Sequence, residues 1–452
     1  MAEVQELDIQ LSDEGWNKSG GKSFNVWGLV EFPPELLKYI LSYKNKTFTQ
    51  YDPTTGKKSK ITGKRAPVWT AFDKYLYHDY NPKSRGGDKL PKISATFKSC
   101  FDHKYGAIVE NMGMQIALAL DMPTSYNYIV AFNPEKYPKI VRNYPTPDLK
   151  DKLQPLGIVS IDFLQARQTK ERPTGKVLYI HGENEEEIDS SSSIDGDRLV
   201  TFEDALKEHH MVLDKIAGED NYIENWIYVL DKIAKQEYTH MPREQLNKVI
   251  DDIHSRIARS FLLKDCILGD CDFTSYNSGL VLNSHKIRYA ANHDYGDICN
   301  SLVKNKLTFD KYCKMSPEVF KALPQNVQEK ILASTSKFAN MSVEDLARLW
   351  SSSSSEHNFY YVLKNFPQAC KEFFEKLDNL IKRNQIAKIV DQYTKMTLKG
   401  QPLLSKEEAK MFRVYLTEKA AHYCNLYVEY LNSAHKHIPD EADLGDYAMD
   451  ID

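Results

Sequence analysis

The most informative part of the sequence reads LGDCDFTSYNSGLV at residues 268–281 and KIRYAANHDYGD at residues 286–297. Asp272 and Asn277 have four residues between them in the first segment, and Asp294 lies in the second. Carboxylate and amide oxygens are ligands that Mg²⁺ prefers. Phosphoryl transfer from ATP also needs a carboxylate beside the acceptor hydroxyl. The pattern therefore predicts Asp272 as a catalytic carboxylate and Asn277 with Asp294 as Mg²⁺ ligands.

The surroundings of these residues predict how they meet. Apolar residues recur at helical spacing over 243–263, which predicts an amphipathic helix that leads into the loop. The runs 279–282 and 287–290 predict the two strands of a hairpin. A hairpin at this place would return Asp294 toward Asn277, so both oxygen ligands would reach one metal site.

The first third of the chain predicts a strand followed by a helix. Residues 93–98 alternate apolar with polar and predict a strand that ends at a lysine. Residues 105–120 switch to helical spacing, and the sequence Asp-Met-Pro at 121–123 ends that helix. Two more strands are predicted at 126–132 and 157–164.

The ordered set of strand, helix, Asp-x4-Asn loop, hairpin and Asp-Tyr-Gly resembles the kinase-like superfamily, in particular the HipA-like and CtkA-like bacterial protein kinases. The resemblance covers roughly residues 84–300. It implies an α+β, two-lobed protein-kinase-like fold and an ATP- and Mg²⁺-dependent transfer to a Ser or Thr hydroxyl of a protein. The chain departs from the HipA pattern at Asp294, where Asp-Tyr-Gly is nearer to the Asp-Phe-Gly of conventional kinases.

The resemblance also implies residues that hold the nucleotide. Lys98 would bridge the ATP phosphates to Glu110 on the following helix, and Lys92 on the same strand face is its rival. Gly86 and Gly87 would let backbone N–H groups approach the phosphates, although the segment around them lacks a clean glycine motif.

The predicted organisation is a small sheet-rich lobe followed by a larger helical lobe. Residues 1–165 would form the first, with a hairpin around the turn-forming sequence DPTTG at 52–56. Residues 166–198 are acidic and serine-rich and predict a polar loop or insertion. Residues 199–452 would form the helical lobe, and they include two long helices, near 357–392 and 405–434, and an acidic tail.

Composition bounds the class of protein. The chain has 452 residues, 27% charged and 42% hydrophobic, which excludes wholesale disorder. Seven cysteines without a zinc-like spacing predict reduced thiols. With neither a signal peptide nor a transmembrane segment visible, the sequence predicts a cytoplasmic protein, with secretion by a route without a cleaved signal left open. No direct DNA-binding motif is visible, but 14 Lys/Arg against five Asp/Glu over residues 44–104 suit an acidic partner.

Several alternatives stay open at the level of sequence. Asp270 is the rival of Asp272, although its position suggests that it orients or caps the loop, and His293 suits a packed structural role. Phosphoinositide kinases use a similar order of residues, so a lipid or other small molecule is an alternative acceptor. A pseudokinase scaffold is the alternative outside enzymes, and the presence of Asp272, Asn277 and Asp294 argues against it.

Overall fold

The computed structural model of the chain has mixed helix and sheet, as the sequence predicts. The structure describes residues 2–7, 10–11, 24–31, 43–51, 58–64, 92–99, 104–137, 154–161, 198–208, 222–270, 273, 277–282, 287–290, 294–313, 316–329, 341–342, 345–348 and 356–436.

The strands of the described residues form four sheets. In chain order they are β1 (Ala2–Glu3), β2 (Gln10–Leu11), β3 (Phe24–Glu31), β4 (Tyr43–Tyr51), β5 (Lys58–Lys64), β6 (Lys92–Ser99), β7 (Asn127–Ala131), β8 (Leu156–Ile161), β9 (Arg198–Thr201), β10 (Gly279–Leu282), β11 (Ile287–Tyr289), β12 (Met396–Leu398) and β13 (Gln401–Pro402). The largest sheet has the order β2-β3-β6-β8-β7, and all of its neighbours are antiparallel.

The helices lie mostly in the second half of the chain. In chain order they are α1 (Gly106–Ala119), α2 (Phe202–Glu208), α3 (Tyr222–Glu237), α4 (Arg243–Phe261), α5 (Asn300–Cys313), α6 (Pro317–Lys321), α7 (Glu356–Asn365), α8 (Pro367–Lys382), α9 (Gln385–Asp391) and α10 (Lys406–Lys436). A π-helical turn, Leu262–Ile267, continues α4.

Strand β6 shows the alternation that the sequence predicts. Ala95 and Phe97 are buried, whereas Thr96 and Lys98 are only half-buried, so the two pairs lie on opposite faces. The strand lies inside the sheet, between β3 and β8. Lys98 is thereby held on a strand whose neighbours fix its position on both sides.

Helix α1 is buried on most of its surface, and hydrogen bonds hold it in place. Asn111 donates to the carbonyl and side-chain oxygens of Asn127 on β7, at 3.0 and 2.9 Å. The hydroxyl of Tyr393, in the segment after α9, donates to Asn111 Oδ1 at 2.8 Å. Buried polar groups are costly unless they are bonded, and these bonds fix α1 against both the sheet and the helical half.

The single long helix expected near 357–392 is wrong, because the structure has three helices, α7, α8 and α9, in that range. Pro367 at the first position of α8 cannot donate a backbone hydrogen bond to the preceding turn. Asn384, which precedes α9, has a left-handed backbone with φ 52°. The other expected long helix is present as α10.

The predicted hairpin after the Asp-x4-Asn loop is confirmed, since β10 and β11 pair antiparallel with Leu280 opposite Tyr289. Strand β9, which the sequence did not predict, adds a third strand beside β10. A side chain at Gly279 would place its Cβ 2.2 Å from the carbonyl oxygen of Val200. The glycine therefore permits the close approach of β9 and β10.

The remaining expectations concern a second hairpin, the polar loop, the cysteines and membrane-spanning helices. The hairpin predicted around residues 52–56 is present as β4 and β5, and its turn lies outside the described residues. Residues 162–197, which hold almost all of the predicted polar loop, also lie outside them. Cys266, Cys299 and Cys370 are free and buried, and Cys424 is free and half-buried. Among the described helices, none combines the length and apolar character needed to cross a bilayer.

Candidate active site

Three charged side chains from separate elements meet at one point. Lys98 of β6 places its Nζ 3.1 Å from Glu110 Oε2 of α1 and 2.5 Å from Asp294 Oδ1 of the loop after β11. The side chain of Glu110 is 4% exposed, whereas that of Asp294 is 38% exposed. One carboxylate is therefore enclosed and the other opens to solvent, with the ammonium between them.

Two factors determine the pKa values in this cluster, namely burial and the presence of two carboxylates for one ammonium group. Burial alone would lower the pKa of Lys98, but the carboxylates of Asp294 and Glu110 outweigh it and raise that pKa above its ordinary value. Burial raises the pKa of Glu110, against the opposing attraction of Lys98. The cluster thus holds a firmly protonated lysine and carries an excess of negative charge when both acids are ionised.

Asp294 has a left-handed backbone, with φ 53°, which aspartate tolerates better than most residues. The next residue, Tyr295, is fully buried, and its hydroxyl lies 2.9 Å from Thr124 Oγ1. A Cβ at Gly113 of α1 would lie 2.6 Å from the Tyr295 ring. Helix α1 therefore packs against the segment that carries Asp294, in addition to supplying Glu110.

Gly296 lies directly against the charged cluster. A Cβ at Gly296 would lie 3.2 Å from Glu110 Oε2 and 3.3 Å from Lys98 Nζ. A larger residue at this position would crowd both charged groups. The glycine therefore permits the close approach of this loop to Lys98 and Glu110.

Asp270 lies in the protein interior, not at an open surface. It is 2% exposed, and its Oδ2 lies 3.1 Å from Nζ of Lys264 in the π-helical turn. This geometry suits the orienting role that the sequence suggested for Asp270. Lys264 is a site residue that was not predicted, although a Lys-Asp pair inside the apolar run FLLKDCIL at residues 261–268 was the available signal.

The structure brings together Lys98, Glu110 and Asp294 of the predicted site residues. Asn277 is half-buried, two residues before β10 begins. Lys92 is described only as backbone, at the start of β6 and opposite Glu31. Asp272, His293, Gly86 and Gly87 lie outside the described residues, so their roles stay predictions. Within the described ranges, no group of three or more His, Cys, Asp or Glu side chains could hold a metal.

Among known proteins, matches to this chain are found only among solved structures. No protein-family model and no curated protein matches the chain. The chain is similar in structure to the Helicobacter pylori proinflammatory kinase CtkA, with 13% identity, a TM-score of 0.37, and coverage of 74% of this chain and 92% of that one. It is also similar to HipA in a complex of the Shewanella oneidensis MR-1 toxin–antitoxin system with HipB and operator DNA, with 11% identity, a TM-score of 0.36, and coverage of 90% and 70%.

The names of these two neighbours are those of the families that the sequence motifs resemble. At such identities and TM-scores, the chemistry of neither neighbour carries over to this chain.

Proposed function

We propose that this protein is an ATP- and Mg²⁺-dependent kinase with a two-lobed, kinase-like fold, and that it transfers a phosphoryl group to a Ser or Thr hydroxyl of a protein. The observation that carries the proposal is the position of Lys98 between Glu110 and Asp294. A half-buried lysine fixed by one enclosed carboxylate and facing a second, solvent-open carboxylate suits a site for a phosphate–metal complex.

The residues present fit nucleotide and metal. Lys98 supplies a localised positive charge on a rigid strand, which suits phosphate oxygens. Asp294 supplies a hard oxygen ligand that is 38% exposed, and the absence of a side chain at Gly296 avoids crowding of Lys98 and Glu110. Mg²⁺, when bound, would neutralise charge on the phosphates. Lys98 with Glu110 would hold the nucleotide, and Asp294 with Asn277 would hold the metal.

The chemical step is a displacement at the γ-phosphorus of ATP. The acceptor hydroxyl oxygen forms a bond to phosphorus, the bond to the β–γ bridging oxygen breaks, and ADP leaves. The hydroxyl proton passes to Asp272, which the sequence places five residues before Asn277. In this proposal Asp270 does not react, because it is enclosed and paired with Lys264.

Transfer from labelled ATP tests the proposal, with the chain itself, protein substrates and phosphoinositide vesicles offered as acceptors. The expected result is Mg²⁺-dependent label on Ser or Thr of protein. Asp294→Ala should abolish that label, whereas Asp297→Ala, an exposed aspartate three residues further on, should keep it. Label on the lipid alone would favour a lipid kinase. If the parent neither binds nucleotide nor transfers phosphate, the result would favour the alternative of a pseudokinase scaffold.

A further inference from the structure

Lys264 is a buried cation that the proposed chemistry does not use directly. Its side chain is 2% exposed, and that of its ion-pair partner Asp270 is fully buried. The two residues are also joined through the backbone, since the N–H of Asp270 donates to the carbonyl of Lys264 at 2.9 Å. A buried ion pair is costly to desolvate, so its presence calls for a physical reason.

The local backbone explains how Lys264 comes to face inward. It lies in the π-helical turn, where the N–H of Leu268 donates to the carbonyl of Leu263, five residues earlier. Gly269 then takes a left-handed conformation, with φ 60°, and turns the chain back. Single π-helical turns of this kind are frequent at functional sites.

Lys264 contacts a second loop as well. Its Nζ donates to the main-chain oxygen of Asp294 at 3.2 Å. The rings of Phe273 and Tyr295 flank the ammonium, with centroids 5.4 and 5.3 Å from Nζ. Both distances are in the range of cation–π attraction.

Asp294 is consequently held from two sides, by Lys98 at its carboxylate and by Lys264 at its carbonyl. Asp270, the other partner of Lys264, stands two residues before Asp272. Lys264 thus connects the loop that carries the proposed catalytic carboxylate with the loop that carries the proposed metal ligand.

We propose that Lys264 is a positioning residue that sets the separation between these two loops, an inference that rests on the proposed kinase function. Through Asp270 it fixes the start of the catalytic loop, and through its bond to the Asp294 carbonyl it holds that residue in its left-handed backbone. An error of about 1 Å in such a placement costs about 100-fold in rate.

The test separates positioning from stability with a double variant. Lys264→Met alone removes the cation of a buried ion pair and should lower the denaturation midpoint. Lys264→Met/Asp270→Leu removes both charges, and its midpoint should return toward that of the parent. Transfer should nevertheless stay about 100-fold below the parent, and the Mg²⁺ concentration for half-maximal rate should rise, because the Asp294 carbonyl has lost its donor.

Two further variants keep the test decisive. Asp270→Asn preserves volume and an acceptor for Lys264, so it should fold and lose only about tenfold in kcat, with the KM for ATP unchanged. Lys419→Met removes another buried lysine, one that lies over the rings of Tyr415 and Tyr423. It should lower the midpoint without changing the Mg²⁺ requirement.

The outcomes are distinct. Recovery of both stability and full transfer in the double variant would overturn the positioning role and leave the kinase proposal standing. Should the double variant not fold, full parental kcat in Asp270→Asn would overturn the role instead. A parent chain that neither binds ATP nor transfers phosphate would overturn the kinase proposal itself, and the positioning role with it.

Discussion

Replacement of Lys98 by methionine probes the charged cluster directly, because Met keeps most of the side-chain volume and removes the charge. Glu110 would then be an enclosed carboxylate without its cation, only 4% exposed. Breaking a buried pair in this way costs ~3–5 kcal/mol when the remaining group stays ionised. Asp294 loses the same partner but is 38% exposed, so its share is below ~1 kcal/mol. The expected loss near pH 8 is therefore ~3 kcal/mol or more of the free energy of unfolding.

The loss should depend on pH in a defined direction. Burial raises the pKa of Glu110, and removing Lys98 deletes the larger attraction that opposes this rise, while the weaker attraction of Lys264 remains. A carboxyl whose folded-state pKa lies above its unfolded value, about 4.3, binds protons more tightly in the folded state. The variant's deficit should therefore be small near pH 4.5 and grow as the pH rises toward the raised pKa.

Denaturant unfolding of the parent and of Lys98→Met at pH 4.5, 6 and 8 measures this effect. Lys98→Met/Glu110→Leu serves as the control, because it removes the stranded carboxylate and should recover much of the stability at pH 8 while phosphoryl transfer stays lost. A deficit below ~0.5 kcal/mol at every pH, or one that shrinks as the pH rises, would refute the geometry of the cluster.

Three other outcomes follow from the structure and the sequence. Asp272→Asn should reduce transfer at least ~100-fold, the scale of a positioned general base, with ATP binding nearly unchanged in a direct binding assay; full activity would remove Asp272 from the mechanism. Gly113→Ala should lower the free energy of unfolding by ~1–2 kcal/mol, because overpacking against the Tyr295 ring outweighs the ~1 kcal/mol gain in helix propensity; Tyr295→Leu should relieve part of that loss in a double-variant comparison. Burial raises the pKa of Cys370 to about 12, so iodoacetamide at pH 8 should modify this thiol only after unfolding, and rapid labelling of the native chain would contradict its burial.

Local sequence determined the elements that carry the site. The alternation over β6, the helical spacing of α1 and the hairpin β10–β11 were all predictable, because each depends on side-chain periodicity within a few residues. The same local patterns placed Lys98 near the end of a strand and Asp294 after a hairpin.

Tertiary structure decided which distant residues meet. Lys98 and Asp294 are 196 residues apart in the chain, and Tyr393 and Asn111 are 282 apart. No periodicity encodes such pairings, because they depend on how whole elements pack. The pairing of β9 with β10 and the parallel pairing of β1 with β12 were missed for the same reason.

The π-helical turn at Leu262–Ile267 is the clearest case of a feature that tertiary contacts alone select. An amphipathic pattern over 243–263 predicts an ordinary α-helix, and nothing in the spacing signals five-residue hydrogen bonding. The cost of the wider turn is offset by the contacts of Lys264 with two aromatic rings, by its ion pair with Asp270 and by its hydrogen bond to the Asp294 carbonyl. Those partners come from loops later in the chain, so the conformation of this turn, and with it the role inferred for Lys264, becomes determined only once the whole chain has folded.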